Sequence, residues 1–204
     1  MVKKKEIYLT RHGETDYNKN GKVQGRGIDA PLNKTGRSQA AKFFAYYEHE
    51  NFDKVYTSAL QRTHQSVEGF LNKGLEHTAL EGLDEIDWGN KEGKSFSLED
   101  HNDYLTMVES WKNGNLEHRI EGGESPLDVL ERQKEAWNII LEDPSNKVLV
   151  CMHGRAMRIL LSYLLNYELS VMDVFSHHNL CLYHLVYTGS VYQVKKFDDI
   201  AHLK

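Results

Sequence analysis

Short apolar runs alternate with segments of helical period along most of this chain, and no other feature of the sequence limits its fold as strongly. Residues 6–10 read as a strand. Leu32-Asn33 then opens a helix, with Asn33 as N-cap and Ala40, Ala41, Phe43, Phe44 and Tyr47 on the apolar side. Residues 52–57 form a second strand, followed by a helix over about 59–71 and a short strand at 77–80. A long helix is expected from the Glu124-Ser125-Pro126 cap to about Leu141, where Asp143-Pro144 stops it. Residues 147–152 are the clearest buried strand and 156–165 a buried helix. Two closing strands, 180–188 and 191–197, flank Thr188-Gly189-Ser190. The pattern predicts an α/β fold, a three-layer doubly wound sandwich with a mostly parallel sheet and an antiparallel edge from the closing hairpin. The charged stretch at about 84–123, with its Gly and Trp residues, interrupts the rhythm. It is expected to form a helical lid inserted in a single domain spanning 1–204.

The 204 residues are enough to bury a full core. A net charge of -5 argues against a general nucleic-acid or membrane-surface partner, since both are polyanionic. Any anion site must then be a local concentration of Arg and His. The basic start, Met1 to Lys5, is followed only by Ile7-Tyr8-Leu9, far short of a signal peptide, and no run is long enough to span a bilayer. A cytoplasmic protein is expected. Cys151 and Cys181 lie in apolar runs and read as buried thiols without a disulfide. The adjacent pair His177-His178 lacks a third ligand, so no metal site is expected there.

Three strands end in the same kind of chemistry. The first runs into Arg11-His12-Gly13-Glu14-Thr15, the second leads to Ser58 and Arg62, and the strand at 147–152 ends in His153-Gly154. In a doubly wound sheet these ends converge on the rim where ligands bind. Two Arg and two His around one pocket suit a phosphoryl group. Planar guanidinium forks stabilise its oxygens, and a neutral imidazole is a competent nucleophile. Nearby positive charge favours neutral His12, and His153 is placed to donate to a phosphoryl oxygen across from it. A carboxyl group at the pocket edge would complete the chemistry by protonating the leaving oxygen. Ser58 reads as structural, a helix cap. Trp137 reads as core, and Trp88 and Trp111 as packing within the lid.

Leu9-Thr-Arg-His-Gly-Glu-Thr15 resembles the signature of the histidine phosphatase superfamily, also called the phosphoglycerate mutase-like family. Asn18, Gln24-Gly25, Asp29, Pro31-Leu32 and Gly36 continue its N-terminal pattern, and Ser58-Ala-Leu-Gln-Arg62-Thr63 is similar to its second-arginine motif. Leu83-Asp-Glu85-Ile-Asp-Trp-Gly89 with Glu92-Gly93 resembles the segment holding its acid. Gly122-Gly123-Glu124-Ser125, His153-Gly154 and Asn179 complete the set. The resemblance implies His12 as the phosphorylated nucleophile and Arg11, Arg62 and His153 as the phosphate pocket, lined also by Asn18, Gln24 and Gly154. It implies Glu85 as the acid and then the base, chosen over its neighbours Glu81, Asp84 and Asp87. It implies no metal, no cofactor and a small-molecule phosphate ester as substrate. The chain departs from the pattern by one extra residue between Gln24 and Asp29, by Lys91 where an aromatic is frequent, and by Ser66 where Thr is frequent. Lys91 bears on which leaving groups are accepted, while neither Lys91 nor Ser66 is expected to touch the chemistry. The phosphatase branch fits better than the alternative, a phosphoglycerate mutase. The run Gln24-Gly25 with Asp29-Ala-Pro31-Leu32 is closer to the phosphatases, and the Glu-Arg-His-Tyr-Gly string that marks the mutases is missing. A phosphate sensor without catalysis would be expected to have lost His12, Glu85 or His153, and all three are present.

Overall fold

Strands that are apolar on both faces need cover on both, and the helices between them supply it. The computed structural model describes residues 4–94 and 98–204. Residues 1–3, part of the basic start, and 95–97, inside the stretch expected as a lid, lie outside the described residues. In chain order the elements are β1 (Lys5–Arg11), α1 (Asp16–Lys19), α2 (Lys34–Tyr47), β2 (Lys54–Thr57), α3 (Gln61–Asn72) and β3 (Glu76–Ala79). They continue with α4 (Leu98–Lys112), α5 (Pro126–Glu142), β4 (Lys147–Met152), α6 (Gly154–Leu164), β5 (Leu182–Tyr187) and β6 (Tyr192–Asp199). The sheet order is β3-β2-β4-β1-β5-β6. The first four strands are parallel, and β5 and β6 add the antiparallel edge. The expected α/β sandwich is the observed one.

Alternation along the strands sends neighbouring residues to opposite layers. Tyr8, Val55, Leu149 and Cys151 pack with Phe43, Tyr47, Val67 and Phe70 of α2 and α3. Ile7, Leu9, Val148 and Val150 pack with Val129, Trp137, Ile140 and Leu160 of α5 and α6. Trp137 is core, as read. Its indole N–H donates to the Tyr192 hydroxyl at 2.8 Å. Cys151 and Cys181 are free and buried.

Register sets the site. Arg11 pairs with Met152 across β1 and β4, and Thr57 pairs with Cys151 across β2 and β4. The three carboxyl ends are therefore level, and His12 and His153 leave adjacent strands side by side. Two helix starts differ from the periodicity, α3 falling two residues later and α6 two residues earlier than expected. α3 begins at Gln61 and α6 at Gly154, because Leu60 and His153 keep extended backbones at the N-caps. β5 likewise begins at Leu182, since Leu180 sits at φ 53 in the left-handed region and cannot join a ladder.

Within residues 84–123, a 3₁₀ turn at Gly89–Lys91 precedes α4. Met107, Val108 and Trp111 of α4 are buried. The rings of Trp88 and Trp111 lie 6.2 Å apart, which is the packing role read for them. Among the described residues, no helix is long and apolar enough to cross a membrane.

Candidate active site

His12 continues the line of β1, its backbone N–H donating to the Met152 carbonyl at 3.0 Å. Its ring Nδ1 lies 2.7 Å from the Gly13 carbonyl oxygen. A carbonyl only accepts, so Nδ1 carries the proton and Nε2 keeps its lone pair. Burial holds the His12 pKa well below the ordinary imidazole value, and the charges of Arg62 and Arg11 lower it further. The ring is neutral at working pH, as the sequence suggested. The loop behind it is tight. A Cβ on Gly13 would stand 2.8 Å from the Gly36 carbonyl oxygen, a contact open only to glycine. Ser66 takes the Gly13 N–H at 2.9 Å. This departure from the family pattern therefore braces the loop that carries His12.

Arg62 is fully buried. Its guanidinium donates to the carbonyls of Ile28 at 2.6 Å and Gly25 at 3.2 Å, and through Nε to His153 Nδ1 at 3.2 Å. Burial lowers its pKa to about 10, opposed chiefly by Glu85, which leaves it charged. Because His153 Nδ1 accepts from Arg62, the neutral ring carries its proton on Nε2 and donates to Ser58 Oγ at 2.7 Å. Ser58 Oγ also accepts the Leu60 N–H at 3.2 Å, so it helps start α3 and orients His153 as well. The N-cap of α3 is Leu60, so the reading of Ser58 as the cap is corrected: its hydroxyl braces the turn before the helix and meets His153. The visible clue was its position directly after a strand end.

Arg11 is anchored by Nη1 to the His177 carbonyl at 2.7 Å. Its Nε is buried without a hydrogen-bond partner, and so is Nε2 of Gln24, whose Oε1 accepts from Thr15 Oγ1 at 2.6 Å. Two buried donors left open are what an anion would fill. Asn18 caps α1 with Thr15 and receives Asn179 Nδ2 at 3.3 Å, while the same Nδ2 donates to the His12 carbonyl at 3.0 Å. A Cβ on Gly154 would lie 3.1 Å from the His177 ring and 3.3 Å from Arg11 Nε, so this glycine lets α6 approach both.

Glu85 is buried at the start of α6. Oε1 accepts the N–H groups of Ala156 at 2.8 Å and Ile86 at 3.0 Å, and Oε2 accepts that of Arg155 at 3.1 Å. The neighbouring carboxylates face elsewhere. Asp84 takes the Ala59 N–H at 2.9 Å, Asp87 takes that of Gly89 at 2.7 Å, and Glu81 is exposed. Arg132 holds the segment, donating to the carbonyls of Gly82, Asp84 and Glu85 and to both oxygens of Glu124. Sequence reasoning missed Arg132. Its partner Glu124 belongs to a recognised block and was the available signal.

A cavity of about 530 Å³ opens over Arg11, Asn18, Gln24 and Asn179. Tyr17, Trp88, Lys91, Asp103, Tyr104 and Ile120 form its walls. Lys91 meets Asp103 at 3.1 Å on this wall.

Two buried imidazoles and the half-buried ring of His177 have a consequence for stability. Burial first, then arginine charge, holds His12 and His153 well below their ordinary pKa and lowers His177 to about 3. Below about pH 6.5 the unfolded chain binds protons that the folded chain refuses, so stability rises with pH in that range. Folding stability should fall as pH drops from about 6.5 toward the folded-state values, by up to about 1.4 kcal/mol per pH unit per histidine. Denaturant melts at pH 7.5 and 5.5 measure this, and equal midpoints would show that these rings are not neutral in the fold.

Residues 7–200 match the family profile described as histidine phosphatase superfamily (branch 1). The chain is 30% identical to the uncharacterized phosphatase PhoE of Bacillus subtilis, with 97% of the chain and 96% of that protein covered. It is 32% identical to the probable phosphoglycerate mutase GpmB of Cronobacter sakazakii, over 78% of the chain and 74% of that protein. A stretch covering 37% of the chain is 43% identical to fructose-2,6-bisphosphatase TIGAR B of Danio rerio, and spans only 29% of that protein. Among solved structures, YhfR of Bacillus stearothermophilus superposes with a TM-score of 0.85 at 24% identity, covering 98% of this chain and 100% of that one.

Proposed function

This chain belongs to the histidine phosphatase superfamily, and from that premise we propose that it is a phosphomonoesterase acting on small phosphate esters through a covalent phosphohistidine on His12. The observation that carries the reading is the state of the His12 ring. Its Nδ1 is locked on the Gly13 carbonyl, which leaves the lone pair on Nε2, and the open donors of Arg11 and Gln24 line the cavity. Phosphatase relatives support a hydrolase.

In the proposed reaction the phosphoryl oxygens take Arg11 Nε and Gln24 Nε2, joined by Arg62 and by the Nε2 proton of neutral His153 as it leaves Ser58 Oγ. Nε2 of His12 attacks phosphorus in line, and the P–O bond to the alcohol breaks. Protonated Glu85 gives its proton to the departing oxygen. It then takes one from the water that cleaves the P–N bond, releasing phosphate and restoring neutral His12. Two guanidinium groups supply the charge that metal ions supply elsewhere, so we read the reaction as metal-independent. The site asks for a small-molecule partner, and we read the protein as cytoplasmic.

A second reading, phosphoryl return to product as in a phosphoglycerate mutase, has the similarity to GpmB behind it. One experiment separates the two. A panel of phosphate esters, scored for both phosphate release and isomer formation, should show release, unchanged by exhaustive chelation and inhibited by vanadate. Isomer formation exceeding release would favour the mutase. Activity lost on chelation and restored by one divalent ion would end the metal-free mechanism.

A further inference from the structure

Arg155 occupies the second position of α6, and no motif in the sequence gives it a task. Its side chain is only 6% exposed, so its charge must be met inside the protein. Nη1 donates to Asp173 Oδ1 at 2.6 Å, an oxygen that also takes Arg158 Nη1 at 2.6 Å. Nη2 donates to the Tyr104 hydroxyl at 2.9 Å, and the guanidinium carbon lies 5.4 Å from the centroid of the Trp111 ring. Tyr104 and Trp111 both belong to α4. The backbone N–H of the same arginine seats Glu85 Oε2. Tyr104 in turn lines the cavity and meets Trp88, another wall residue, edge-on at 5.7 Å.

We propose that Arg155 is a positioning residue for leaving-group selection, latching α4 and the cavity wall of Tyr104 and Trp88 to the helix start that seats Glu85. The proposal rests on the phosphatase reading for what the cavity holds. A buried ion pair adds little stability over well-packed apolar groups, and what it does supply is a fixed relative placement. The planar fork matters. It reaches Asp173 and Tyr104 at once while lying over an indole, and a lysine ammonium cannot reproduce that geometry. The wall that contacts the alcohol and the group that protonates it are thus referenced to one residue, so the latch acts on how the ester is held and leaves the phosphate pocket alone.

The test uses Arg155→Lys, which keeps the charge beside Asp173, together with Tyr104→Phe and the double variant. Arg155→Lys should raise KM for esters of large alcohols by roughly 10- to 100-fold, the usual worth of a charged hydrogen bond. The inhibition constant of inorganic phosphate, which fills only the His12 pocket, should stay near that of the unaltered protein. The losses in kcat/KM of the two single variants should not add in the double variant, since both remove one contact. Limited proteolysis within residues 98–123 should also quicken in Arg155→Lys, a readout that needs no turnover. If the unaltered protein hydrolyses no ester, the phosphatase reading fails, and the proteolysis still decides whether the latch exists. Additive losses, a parallel rise in the phosphate constant, or unchanged proteolysis would each overturn the proposal.

Discussion

His12→Ala should abolish turnover, with a loss on the order of 10⁴–10⁶ in kcat, the scale seen when a covalent nucleophile is removed. Incubating the unaltered protein with a good substrate, and quenching without acid, should trap a phosphoramidate that survives base and is lost in acid. The variant should trap nothing. The substitution is a clean one because, among the described residues, the ring hydrogen-bonds only to the neighbouring Gly13 carbonyl, while the backbone N–H that joins the sheet stays in place. The melting transition should therefore persist, and loss of activity would report chemistry and not collapse. A base-labile phosphoenzyme, or the same label in His12→Ala, would refute the phosphohistidine.

Glu85→Gln should cost roughly 10²–10⁴ in rate with esters of sugar-like alcohols, the usual worth of general acid help. It should cost far less in phosphoenzyme formation from p-nitrophenyl phosphate, whose leaving group departs without a proton. The pH-rate limb belonging to the acid should vanish with it. The variant also carries a structural cost that can be separated from the catalytic one. Glu85 accepts three backbone N–H groups on its two oxygens, and an amide replaces one oxygen with a donor. At least one N–H at the head of α6 or at Ile86 is left facing that donor, worth about 1–3 kcal/mol in a denaturant melt. Asp84→Asn is the control, because Asp84 serves the Ala59 N–H. A silent Glu85→Gln beside a leaving-group-dependent Asp84→Asn would move the acid to the other carboxylate.

Much of this arrangement was legible because apolar periodicity and strand-end chemistry are local. Residues 148–152 are apolar throughout, so the place of this strand inside a parallel sheet followed from composition, and with it the exit of His153 beside His12. Long-range partners were not legible. Arg132 reaches back about fifty positions to the carbonyls around Glu85, and Ser58 meets His153 across the gap between two strands. In each case the partner lies far away in the chain, beyond what local pattern displays. Boundaries slipped for a similar reason. Periodicity counts apolar faces, whereas the starts of α6 and β5 are set by the extended backbone of His153 and the left-handed backbone of Leu180.

The place of β4 in the sheet governs when this site can come into being. β1 carries Arg11 and His12, yet both of its neighbours, β4 and β5, lie beyond residue 146. As the chain leaves the ribosome, β1 is made before either of its neighbours and waits for them, with no edge to pair to while β2 and β3 can already meet. β4 must then insert between β2 and β1, closing two sets of contacts distant in sequence, a step that is slow because the chain entropy is lost before the contacts form. During that wait β1 is an apolar strand with two open edges, the form most prone to pair with another molecule. A nascent or truncated chain ending before β4 would hold His12, Arg62 and Glu85 in its sequence without the sheet that brings them together, and its commonest fate would be association through β1.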